Sequence, residues 1–138
     1  MANAAAKMFT SFLESKGTKF QVLDDEGSVV RVGWQLEATG ISIFFQFGDD
    51  NTDIHMEGTD FLTFPAEKLN TMYKLCNDMN RQYRWVKFTV KEDRKEVICE
   101  CDAVIQLDSC AAEATELMLR MNNIVDKAYP YFMKGLWA

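Results

Sequence analysis

The sequence predicts an α+β domain: an antiparallel β-sheet flanked by helices, in the order α-β-β-β-β-α-β-β-α. Three observations carry this reading. Several short stretches alternate apolar and polar residues with a period of two, as half-buried strands do. Turn-forming clusters, Asp24-Asp25-Glu26-Gly27 and Gly48-Asp49-Asp50-Asn51 among them, separate these stretches at hairpin distance. Three other stretches, at the start, middle and end, repeat apolar residues at helical spacing.

The first helix is predicted over residues 3–16, with Ala5, Met8, Phe9, Phe12 and Leu13 on one face and Gly17 as its stop. A strand from Phe20 to Leu23 enters the first turn. Val30, Val32, Trp34, Leu36 and Ala38 then alternate with polar partners, and after Gly40 so do Ile41, Ile43, Phe45 and Phe47. Residues 53–62 form a weaker strand interrupted by Gly58. Pro65 suits a helix start, and Leu69, Met72, Tyr73, Cys76 and Met79 carry that helix to about Gln82. Two strands, 84–91 and 96–106, flank the charged turn Glu92-Asp93-Arg94-Lys95. Asp108-Ser109 reads as a cap. Leu117, Met121, Ile124, Val125 and Ala128 then mark a long last helix, which Pro130 is expected to end or kink. Tyr131, Phe132, Leu136 and Trp137 form an apolar tail that must dock.

The chain has 138 residues, of which 48% are hydrophobic and 26% charged. That is one domain's worth, large enough to bury a core without disulfides or metals, and it is not a disordered composition. No apolar run reaches transmembrane length and no secretory leader is visible, so the expectation is a cytoplasmic protein without a membrane partner. The net charge of −6 argues against nucleic acid as a partner. Residues 68–95 nevertheless carry eight bases against three acids, a local balance of +5 that leaves −11 for the rest. A solvated face is the ordinary reading of such a run. The alternative is an anion or nucleotide site built on Arg81, Arg84 and Lys87.

No nucleophile elbow, P-loop, zincin or dinucleotide motif is present, so no catalytic residue is assigned and an enzyme is not expected. Asp49, Asn51 and Asp53 open like a calcium loop, but Ile54 stands where Gly is required and Asp60 where a bidentate Glu is required. A hairpin turn is the better reading. The one histidine, His55, is expected to form an exposed pair with Glu57, and no metal or cofactor is expected. Cys76 reads as a small core residue. Cys99 and Cys101 point to one face of a strand within an apolar row, and no second pair completes a zinc site. Cys110, near a helix N-terminus, is the best candidate for a reactive thiol. Asn80 is expected to cap the second helix and Asn77 to bond a neighbouring loop.

Four apolar residues, Phe44, Trp85, Ile98 and Val104, fall out of phase with the main core rows. They are expected to form a patch on the second face of the sheet, covered by a helix, a second subunit or a client. They are the candidate partner or dimer contacts.

The segments Phe64-Pro65, Asn77-Asp78-Met79-Asn80, Trp85-Val86-Lys87-Phe88, Glu96-Val97-Ile98 and Tyr129-Pro130-Tyr131-Phe132 resemble the YbjN domain family over residues 64–133. These bacterial proteins are catalogued as sensory transduction regulators and are similar in fold to type III secretion chaperones. The resemblance implies a cytoplasmic, non-catalytic regulator or chaperone-like binder, often dimeric, and it carries over no catalytic residue. Together these readings point to a non-enzymatic protein that binds a protein partner, or itself as a homodimer, through an apolar sheet or helix surface.

Overall fold

Asn3 opens the first helix. In the computed structural model, which describes residues 3–138, its carboxamide oxygen accepts a hydrogen bond from the Ala6 N–H at 2.9 Å and caps α1, Ala4–Ser15. Gly17, at φ 70°, then reverses the chain. Strands β1 (Gln21–Val22), β2 (Val29–Gln35), β3 (Gly40–Phe47) and β4 (Asp53–Thr59) follow as an antiparallel meander. A single 3-10 turn, Ala66–Lys68, leads into α2 (Leu69–Gln82). Strands β5 (Lys87–Lys91) and β6 (Glu96–Val104) form a hairpin, and the 3-10 turn Leu107–Ser109 feeds α3 (Cys110–Leu136).

The predicted α+β order holds, and the sheet is antiparallel throughout. Its spatial order is β1-β2-β3-β4-β6-β5, so β6 lies against β4 and β5 is an outer strand. All three helices pack on one face. There Phe9 meets Phe45 with ring centroids 4.7 Å apart, and Phe88 meets Phe132 at 5.2 Å.

Several predicted boundaries shift, each for a local reason. β4 stops at Thr59 rather than residue 62, because Asp60 adopts φ 64° and turns the chain. β5 starts at Lys87 rather than 84, because Trp85 sits at φ 74°. Pro130 does not end the last helix: α3 runs through it to Leu136. Burial of Phe132 and Leu136 in the core holds the turns beyond the proline. Of the predicted apolar tail, only those two residues dock; Tyr131 and Trp137 remain exposed.

The loops are tied to the helices. The turn at Gly48–Thr52 is a hairpin connection: Asn51, at φ 63°, accepts from the Ala5 N–H and closes the first turn of α1. The β2–β3 connection is held by Asp126 on α3, which accepts from the Glu37 and Ala38 N–H groups at 3.2 and 2.8 Å.

Candidate functional site

With every helix on one face, the opposite face of the sheet carries no helix among the described residues. Antiparallel register sets what stands there. One row reads Arg31, Phe44, Glu57, Glu100, Lys87, and the next brings Gln46, His55 and Asp102 side by side. The expected second face is thus real, but it is largely polar, and the four out-of-phase apolar residues do not form one patch on it.

Ile98 is fully buried. It lies on β6 opposite Thr89 of β5 with no exposed surface, so the expectation that it faces a partner is corrected. Phe44 is half-buried in a shallow depression with Glu57 and Arg94. Trp85 and Val104 do come together. They line one groove with Ala112, Leu117 and Arg120 of α3, and they are 57% and 79% exposed. The Arg120 guanidinium stands 5.5 Å from the Trp85 ring centroid, and its own partner is Glu116 at 2.9 Å.

Trp85 is held in place by its backbone. The Val86 N–H bonds back to the Arg84 carbonyl at 2.8 Å, with Trp85 between them at φ 74°. This three-residue turn is costly for a bulky side chain, on the order of 1–3 kcal/mol. The strain faces an aromatic ring outward into an apolar groove.

The basic trio is occupied differently. Lys87 Nζ donates to the Asn80 and Tyr83 carbonyls, both at 2.8 Å, at the C-terminal end of α2. Helix C-termini carry partial negative charge and attract cations. Lys87 is therefore committed to the helix end, and Arg81 and Arg84 stand exposed beside it. No closed anion cradle forms around the three.

All four cysteines are free and buried. Burial pushes the Cys76 thiol up to about 12 and also raises those of Cys99, Cys101 and Cys110. The expectation of a reactive Cys110 is therefore corrected. Its Sγ donates to the Ala5 carbonyl at 3.5 Å, and desolvation outweighs the helix-end field. In the native protein a small aromatic disulfide reagent is expected to label none of the four within minutes, and all four after unfolding. Rapid native labelling of Cys110 would contradict this placement.

His55 is not simply paired with Glu57. Its Nδ1 lies 2.6 Å from Asp102, its Nε2 3.2 Å from Glu57 and 3.9 Å from Glu100. Burial alone would lower its pKa, but the hydrogen bonds and charges of Asp102 and Glu57 prevail and raise it. Sequence reasoning missed Glu100 and Asp102, which only the β4–β6 pairing brings to His55.

A family model described as YbjN, "putative bacterial sensory transduction regulator", matches residues 5–122. The chain belongs to the YbjN family. The match reaches further into the first half than the 64–133 span that carries the resemblance in sequence. Among solved structures, YbjN from E. coli superposes with a TM-score of 0.63 at 9% identity, over 91% of each chain. A chain of the ExsC–ExsE complex superposes with a TM-score of 0.56 at 12% identity, over 92% of this chain and 96% of that one. These likenesses establish the fold, an α+β arrangement shared with YbjN and with that chain of the ExsC–ExsE complex. No curated protein matches the sequence. No helix among the described residues is long and apolar enough to cross a membrane.

In this YbjN-family fold the Asn77-Asp78-Met79-Asn80 segment has a different use from the one predicted. Asn80 does not cap α2. Its Oδ1 accepts from the Phe88 N–H at 2.6 Å and its Nδ2 donates to the Phe88 carbonyl at 3.0 Å. The carboxamide thus imitates a neighbouring strand along the outer edge of β5. Asn77 is exposed.

Proposed function

We propose that this YbjN-family protein is a non-enzymatic regulatory or chaperone-like protein that binds a protein partner through the groove of Trp85, Val104 and α3. The observation that carries the reading is Trp85: a large aromatic, more than half exposed, held outward at positive φ above an apolar floor. Strained backbone at an exposed aromatic favours a role in recognition over one in packing. The outer edge of β5 is closed at Phe88 by Asn80, so side-chain docking in the groove is favoured over strand addition there. The ExsC structure is of a complex with ExsE, which fits a protein ligand for this fold. A second copy of the chain in the groove is the homodimer form of the same reading.

The test places a photo-crosslinking residue at Val104 in cells, with exposed Lys127 as the control site. Val104 is expected to give a discrete protein adduct, either a partner or a second copy, and Trp85→Gly is expected to remove it. Equal, diffuse crosslinking at both sites would overturn the proposal. Trp85→Gly is also expected to unfold at the same or a higher temperature than the parent, because glycine accepts the φ that tryptophan is forced into. A large loss of stability would instead make Trp85 a packing residue.

A further inference from the structure

We propose that the open face of the sheet holds a divalent transition-metal ion, bound by His55 Nε2, Glu57 and Glu100, with Asp102 orienting the imidazole. The four side chains form a rectangle on two paired interior strands. His55 stands opposite Asp102, and Glu57 opposite Glu100, across β4 and β6. The platform is therefore rigid, and each residue is held by a ladder of backbone bonds.

The hydrogen-bond logic points to a cation. Asp102, as a carboxylate, only accepts, so the Nδ1 that lies 2.6 Å from it carries the proton. Nε2 faces Glu57 at 3.2 Å and Glu100 at 3.9 Å. As the imidazolium the ring donates from Nε2 to Glu57; as the neutral ring it presents a lone pair at the point where both carboxylates converge, and a metal ion takes the place of that proton. Like charges directly opposite on paired strands are unfavourable. The nearby bases do not supply the charge. Lys87, across from Glu100, is bonded to the end of α2; Arg31 bonds Ser42 and Gln21; Arg94 pairs with Glu96.

The dimensions fit a metal. The three ligand atoms lie within 4.8 Å of one another. Bonds of about 2.1 Å at near-tetrahedral angles put ligand atoms about 3.4 Å apart, between the two distances from Nε2. The carboxylate–imidazole pair is the usual outer support of a metal-bound histidine, and Thr89 Oγ1 donates to Glu100 at 3.2 Å in the same supporting way. One imidazole with two carboxylates, open to solvent on one side, suits Zn²⁺, Mn²⁺ or Fe²⁺ better than the all-oxygen preference of Mg²⁺ and Ca²⁺. The buried thiols are not needed for it.

The test uses untagged full-length protein, stripped with a chelator, with Zn²⁺ as the titrant and Mn²⁺ as a paramagnetic probe. His55 is the only histidine, so its ring resonances in the proton spectrum are unambiguous. Zn²⁺ is expected to bind one to one and to raise the melting temperature by about 9 °C at a hundredfold excess over Kd. Mn²⁺ is expected to broaden the His55 ring signals at substoichiometric levels. Glu57→Gln and Glu100→Gln keep shape and remove the charge. Each is expected to weaken Zn²⁺ binding at least tenfold, while leaving the metal-free melting temperature unchanged or higher. No thermal shift with millimolar Zn²⁺, or a shift that both variants retain in full, would overturn the proposal and leave a proton as the cation of this cluster.

Discussion

Phe132→Ala is expected to lower the free energy of unfolding by about 3–5 kcal/mol, the usual loss for a buried phenylalanine. Phe132 is fully buried and its ring stacks edge-on against Phe88, whose strand is the outermost of the sheet. It also lies beyond Pro130, in turns of α3 that miss one backbone bond. Those turns are held chiefly by what Phe132 and Leu136 bury, with Met133 packed partly against the same core. A typical domain has only about 5–15 kcal/mol in hand, so the variant should sit close to the unfolding threshold. Urea denaturation checks this: the midpoint should fall sharply at unchanged slope. Tyr131→Ala and Trp137→Ala, both on exposed side chains, should change stability by no more than about 0.5 kcal/mol. A loss under about 1 kcal/mol for Phe132→Ala would mean that the chain beyond Pro130 is not docked. The family match ends at residue 122, before Phe132, and a chain cut there is expected not to fold.

How much of this was legible in the sequence depends on the distance over which the cause acts. Strand and helix identities follow from nearest-neighbour periodicity. The alternation from Ile41 to Phe47 and the helical stripe of Leu69, Met72, Cys76 and Met79 therefore stood out, and both pack as expected. Single-residue dihedrals were less visible. Nothing in Trp85 as a residue type announces positive φ, and Asp60, of a type that tolerates it, gives only a weak signal, so the start of β5 and the end of β4 were misplaced. Pro130 shows local propensity losing to tertiary burial. The candidate groove was half legible: the period-two rule marked Trp85 and Val104 as out of phase, yet the same rule marked Ile98, which is fully buried. The His55 cluster was not legible. His55 and Asp102 are 47 residues apart, and only the return of β6 to β4, past α2 and β5, makes them neighbours. The sequence signal available in hindsight is paired acid spacing: His55-x-Glu57 on one strand and Glu100-x-Asp102 on another, each on one face.

Asn80→Ala is expected to cost about 2–4 kcal/mol, more than an ordinary surface residue and for a reason specific to the edge of a sheet. The carboxamide satisfies both backbone groups of Phe88, and alanine leaves a donor and an acceptor without partners in a partly buried setting. Asn80→Asp should be nearly as harmful, because it keeps the acceptor for the N–H but sets a carboxylate against the Phe88 carbonyl. The second consequence concerns association. β5 is the outermost strand on its side of the sheet, and an unprotected edge is a template for another chain. With Asn80 gone, the variant should self-associate on mild heating where the parent stays dispersed, and light scattering reads the difference. The same edge bears on how a partner docks. If the edge is closed by design, an Asn80 variant should gain non-specific strand pairing while keeping the Val104 crosslink, because the groove is built by Trp85 and α3 on other atoms. If the crosslink disappears with Asn80→Ala in protein that remains folded, the partner was reaching β5 itself, and the groove is only its margin.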